Sequence, residues 1–310
     1  MESVTAYAYS SSANLGPGFD ILALAHNAFY DTVEVGINSS DNLEILIDAE
    51  NIPLEFDKNS AGYAIYKMLN ELGIRAKVKL RIQKGIPIGL GLGSSGASAA
   101  AAVSAVNEVL KLGLKKEELV KFAMIGEYAV AGSPHPDNVA ASLFGGVVLV
   151  NSLNPIKITK IPVNINFKIL LLIPDMKKIE NKTKKAREMI PESISIKYYI
   201  ENSRNLASLI LGLINGNREL IRLGLNDNII EKSRLPLFPF YPKIKEIALK
   251  TNAIGACVSG AGPSILVFID DETKINLLLD LSKEVFSSYS LNFRYVITTI
   301  GEGVRIERRK

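Results

Sequence analysis

Apolar and polar positions change rhythm several times along the chain. Residues 4–9, 31–37, 43–47 and 77–82 carry β-branched side chains in partial alternation, the spacing of half-buried strands, and 145–151 repeats it after a glycine pair. Residues 61–72, 97–111 and 116–131 instead place apolar side chains at helical spacing. Asn154-Pro155 and Ile161-Pro162 then punctuate the chain. Beyond them, 168–173, 256–269 and 295–300 read as strands, and 200–214, 242–251 and 274–286 as helices. The pattern predicts an α+β protein of two domains, 1–155 and 156–310, with a cleft between them.

The segment PIGLGLGSSGASAAAAV, residues 87–103, departs from both rhythms. Glycines run directly into a stretch of strong helix formers. The first N–H groups of such a helix have no intrahelical partner, and its dipole favours an anion there. Gly89, Gly91, Gly93 and Gly96 let a phosphate approach the backbone, and Ser94, Ser95 and Ser98 add hydroxyls at the same end. No lysine follows Gly93, so the segment is not a P-loop. Gly91, Gly93 and Gly96 fit the dinucleotide spacing, but the acidic residues that follow, Glu117 and Glu118, fall at a helix start rather than a strand end.

Two further segments join this one. Ser259 to Ser264, SGAGPS, interrupts an apolar run and reads as a second wall for the same phosphate-bearing ligand. Residues 132–146, GSPHPDNVAASLFGG, group His135, Asp137 and Asn138 beside prolines and read as a substrate loop.

Composition narrows the partners. A length of 310 residues suits two cores, and the net charge of +4 is not gathered into a basic stripe, so nucleic acid is not an expected partner. The clusters at 177–185 and 305–310 read as a solvated face and a frayed tail. Cys257 is the only cysteine, so no internal disulfide forms. The N-terminus lacks a basic region followed by an apolar core, and no run of roughly eighteen apolar residues occurs. A cytoplasmic location and no membrane partner are expected.

SSANLGPGFDILALA (11–25), PIGLGLGSSGASAA and VSGAGPS (258–264) resemble, in order, the first motif, the central phosphate loop and the third motif of the GHMP small-molecule kinase superfamily. HPDNVAASLFGG, TKKAREMIP and SRLPLFP are similar to segments of the branch that phosphorylates homoserine. The resemblance implies a ribosomal-protein-S5-like first domain, a ferredoxin-like second domain, and phosphorylation of the L-homoserine hydroxyl by ATP with Mg²⁺. It places Asn59, Lys84, Pro87, Gly89, Gly91, Gly93, Ser94, Ser95 and Gly96 on the nucleotide, with Ser95 and Glu127 on the metal. On the substrate it places Asn14, Asp20, His135, Asp137, Asn138, Arg187, Arg234 and Gly260. Asp20 is read onto the ammonium, and Arg187 and Arg234 onto the carboxylate. Mevalonate kinase-like members carry an Asp base where Asn138 stands, so the resemblance implies direct attack without a dedicated base, with Asp137 as the rival. A kinase for another small alcohol, such as mevalonate or shikimate, and a nucleotide-binding regulatory protein are the competing readings. The resemblance also implies a homodimer.

Overall fold

The computed structural model describes residues 3–131, 136–176 and 182–309. The first half runs β1 (Ser3–Ala13), β2 (Leu22–Ser39), β3 (Glu44–Ala49), α1 (Ser60–Glu71), β4 (Ala76–Gln83), α2 (Ser94–Val109), α3 (Lys116–Ala131), α4 (Pro136–Phe144), β5 (Val147–Leu153) and β6 (Ile156–Ile161). The second half runs β7 (Lys168–Pro174), α5 (Lys182–Glu188), α6 (Ile196–Asn215), α7 (Arg218–Gly224), α8 (Ile230–Ser233), α9 (Tyr241–Lys250), β8 (Gly255–Val258), β9 (Ile265–Ile269), α10 (Ile275–Ser288), β10 (Phe293–Thr298) and β11 (Arg305–Arg309). Among the described residues no helix is long and apolar enough to cross a membrane.

The first sheet orders its strands β11-β1-β2-β4-β3, with β5 on the far part of β2 and β6 on β5. Its helical layer is built on α2, whose residues from Gly96 to Val106 are all buried. Alanines suit that position because α2 packs against β1, β2 and three other helices at once, where larger side chains would not fit. The second sheet is antiparallel in the order β10-β7-β9-β8, the order expected of a ferredoxin-like domain.

Strand alternation joins the two domains. Along β7, Ile169, Leu171 and Ile173 enter the core shared with the first domain, while Leu170 and Leu172 enter a second core under α9 and α10. In β9, Leu266 and Phe268 face the first core and Ile265, Val267 and Ile269 the second. One period-two sheet thus serves two apolar layers.

Three expectations need correction. The division at 155/156 falls in the turn between β5 and β6, which pair with each other, so strand pairing carries the first sheet to Ile161. The tail is not frayed: Arg305–Arg309 forms β11 and pairs with β1, Ser3 opposite Arg309. The segment read as a substrate loop contains a helix, α4, so that Asp137 and Asn138 stand in its first turn rather than on a connector.

Candidate active site

A cavity of about 740 Å³ opens where the two domains meet, lined by the loop after β1, the glycine loop, the start of α4 and, from the second domain, α5, Arg234 and Gly260. The two glycine turns form its floor. Ser259 Oγ donates to the Gly91 carbonyl at 2.6 Å, and Gly260 N–H to the Ala13 carbonyl at 3.1 Å. A Cβ on Gly91 would stand 2.2 Å from the Ser259 carbonyl oxygen, so only glycine permits this approach.

Gly93 ends the loop in the left-handed region, φ 71°, and α2 begins at Ser94 without a side-chain cap. The first N–H groups of α2 therefore remain available at the cavity wall. Beneath the loop lies a charged strut. The buried Asp31 carboxylate accepts from Lys84 Nζ, from Ser98 Oγ at 2.8 Å, and from the Gly85 and Ile86 N–H groups at 3.0 Å. Lys84 also donates to the Ser94 carbonyl and Ser98 Oγ, both at 2.8 Å. Its three donors are thus committed to bracing the loop. Desolvation lowers its pKa, against the pull of Asp31.

Two further residues read onto the ligands, Asn59 and Asn14, hydrogen-bond to the backbone around the cavity. The Asn59 side-chain Oδ1 caps α1 by accepting from Ala61 and Gly62 N–H at 3.1 Å, and its Nδ2 donates to the Pro53 carbonyl at 2.8 Å. Asn14 donates to the Gly260 carbonyl at 3.0 Å and accepts from Asp20 N–H at 3.3 Å. Both residues line the cavity with their polar atoms engaged. Pro87 and Gly96 are not among the lining residues. The Asp31 carboxylate anchors the backbone just before Pro87, and the Cβ direction of Gly96 faces Asn138 and Val139. His135 lies outside the described residues.

The acids gather on one side. Glu127 is buried, hydrogen-bonded to Ser95, with Oε1 lacking any partner; burial raises its pKa to about 7, opposed by Ser95 and Lys84. Asp137, also buried, accepts from Asn138 N–H at 2.8 Å, and burial with the nearby Asp20 charge raises its pKa to about 7. Asn138 Oδ1 accepts from Ser11 Oγ at 2.9 Å, which fixes the amide beside Gly93. Among the described residues no group of three or more His, Cys, Asp or Glu side chains gathers into a metal cluster.

Two arginines line the same cavity. Arg187 and Arg234 each place a guanidinium 5.0 Å from the Phe19 ring. Arg187 forms a forked pair with Asp20, at 2.8 and 3.2 Å, so two groups read onto the substrate meet each other instead. Arg234 is 5% exposed and donates through Nε to the Ala186 carbonyl at 2.8 Å. Among the described residues no carboxylate lies within ion-pair distance of it. Burial, then repulsion by Arg187, lowers its pKa to about 10. Lys182, in the cluster read as a solvated face, turns inward to the carbonyls of Gly89 and Gly262. Phe19, Asp31 and Lys182 were not singled out by sequence; for Phe19 the GPGFD motif was the available signal, and a run of lysines hid Lys182.

Residues 59–146 match the GHMP kinases N terminal domain family and residues 206–287 the GHMP kinases C terminal family. The chain belongs to the GHMP kinases. It is 57% identical to the homoserine kinase of Saccharolobus solfataricus across the full length of both chains. It is 57% identical to that of Sulfurisphaera tokodaii over 97% of this chain and 98% of the relative. The crystal structure of homoserine kinase from Cytophaga hutchinsonii, 30% identical, superposes with a TM-score of 0.88 over 99% of this chain and 98% of that one.

Proposed function

We propose that this chain transfers the γ-phosphoryl group of ATP to the side-chain hydroxyl of L-homoserine. The observation that carries the reading is the charge gathered in one cavity: the uncapped α2 N-terminus with the buried Glu127 hydrogen-bonded to Ser95 in its first turn, the buried Asp137, and a buried guanidinium, Arg234, with no ion pair among the described residues. The α2 N-terminus and the glycine turn receive the phosphates. Ser95 and Glu127 would hold Mg²⁺, and the partnerless Oε1 of Glu127 fits that assignment, since a hard cation takes oxygen ligands and completes its shell from phosphates and water. When bound, the ion neutralises charge on the transferring phosphoryl group.

The zwitterion of homoserine complements the rest. Its carboxylate meets Arg234, and its ammonium meets Asp20, which exchanges part of its pairing with Arg187. Asn138, its oxygen held by Ser11, presents its N–H donors to the hydroxyl and orients it in line. The hydroxyl oxygen bonds to Pγ as the bond from Pγ to the leaving ADP oxygen breaks, and the proton departs late with no dedicated base. One observation favours a second route for that proton: the Asp137 carboxyl, held at about 7, is matched to a general base near neutral pH. The activity is tested by ADP release with Mg-ATP and a panel of acceptors. Turnover with homoserine alone supports the reading; turnover only with mevalonate or shikimate, or with none, refutes it. Asp137→Asn and Asn138→Ala then separate the two proton routes. Loss of turnover in the first with homoserine binding intact, and little change in the second, would select Asp137.

A further inference from the structure

Four lysines stand on the cavity wall: Lys58, Lys84, Lys182 and Lys184. Lys58 pairs with Glu55, Lys184 is exposed, and Lys84 is fully committed to the strut below the loop. Lys182 differs from all three. Its ammonium donates to the Gly89 carbonyl at 2.6 Å and to the Gly262 carbonyl, one in each glycine turn. An ammonium has three N–H donors, so one is left over. Among the described residues no carboxylate lies within ion-pair distance; the charge its neighbourhood does supply is Arg234, which repels it. Burial and that repulsion push its pKa down to about 8. Two neutral carbonyls offset only part of the cost of a half-buried cation, so the site favours an anion.

We propose that Lys182 is a phosphate-binding residue that takes the terminal phosphoryl group of the bound triphosphate. This rests on the kinase reading above. The Gly89 and Gly262 carbonyls hold the ammonium over the phosphate loop from the second-domain side, opposite the α2 N-terminus. It brings a positive charge to the outer end of the triphosphate, beside the two glycine turns. A residue so placed discriminates ATP from ADP, which a clasp between the two turns would not do.

The test measures ATP and ADP affinity by calorimetry for the unmodified chain and for Lys182→Met, Lys182→Gln and Lys182→Arg, with thermal melts as a control on folding. Gln keeps donors for the two carbonyls and removes the charge. The expected result is an ATP affinity weakened on the order of tenfold to a hundredfold in Met and Gln, with ADP changed less than about threefold, and recovery in Arg. Equal loss for both nucleotides, or no loss for either, overturns the proposal. If the unmodified chain phosphorylates homoserine while the ATP to ADP ratio is unchanged in the Gln variant, this inference alone fails. If the unmodified chain binds neither nucleotide, the kinase reading fails and takes the inference with it.

Discussion

Replacing Arg234 with methionine separates binding from folding in this site. The guanidinium is buried, and its pKa is lowered to about 10, so its charged form is disfavoured in the ligand-free fold by roughly 3 kcal/mol. Methionine removes that penalty. It also forfeits the hydrogen bond to the Ala186 carbonyl, about 1 kcal/mol, and the stacking on Phe19, about 1 kcal/mol. The ligand-free variant should therefore be at least as stable as the parent, by differential scanning fluorimetry. Catalysis should move the other way. Losing the partner of a buried carboxylate costs about 2–5 kcal/mol, on the order of thirtyfold or more in kcat/KM for homoserine. A carboxylate-free acceptor, 3-aminopropan-1-ol, should be poor for the parent and lose little further in the variant, since one interaction cannot be lost twice. Arg187→Met should show a weaker coupling because Arg187 already pairs with Asp20. Additive losses across the two proteins and two acceptors, or a variant that melts several degrees lower, would refute the assignment.

Glu127→Gln should nearly abolish turnover yet stabilise the ligand-free protein at pH 8 by on the order of 2 kcal/mol. The folded-state pKa of about 7 exceeds the ordinary 4.5, so the parent's stability declines as pH rises from 4.5 through 7, and the advantage should vanish at pH 4 in denaturant titrations; an equal difference at both pH values would sink this account. Gly93→Ala should lower both the melting temperature and nucleotide affinity, because its Cβ would lie 2.1 Å from Ser11 Oγ at a φ of 71°, whereas Gly96→Ala meets only ordinary contacts from 3.4 Å and should stay within about 1 kcal/mol of the parent. Equal melting temperatures for the two variants would show that the loop is not held as described.

Local chemistry was the legible part of this chain. The glycine-to-alanine transition marked the turn into α2 because the conformational freedom of Gly93 and the small section of α2 are properties of single residues. SGAGPS was legible for the same reason. Tertiary burial was not. Lys182 and Lys84 look alike in sequence, and only the fold shows one turned onto two carbonyls and the other locked on Asp31. Asn14 and Asn59 were correctly placed at the cavity, but which atoms they spend on their own backbone depends on loops closing around them. The β1–β11 pairing joins residues some 300 positions apart, which no local periodicity encodes.

Burial disfavours the charged form of four groups in the cavity, and on the proposed function their arrangement would set its selectivity. Glu127 and Asp137 are acids whose ionised forms burial disfavours; Arg234 and Lys182 are bases whose protonated forms burial disfavours. Were the two kinds adjacent, they would pair and cancel, as Asp20 and Arg187 do at the more exposed edge. They do not pair because rigid backbone separates them: Asp137 is fixed at the start of α4, Glu127 on α3, Arg234 after α8, and Lys182 on the carbonyls of two locked turns. Each charge thus stays available for a ligand of opposite sign. On the proposed function, a phosphate chain and a carboxylate satisfy Lys182 and Arg234, a divalent cation satisfies Glu127, and the ammonium on Asp20 offsets the charge that Asp20 exerts on Asp137. A simple alcohol brings neither the carboxylate nor the ammonium, so it leaves Arg234 and the acid side uncompensated. On the proposed function, a zwitterionic acceptor beside a metal-bound triphosphate compensates all four, and the cost of burying these charges becomes selectivity for that combination.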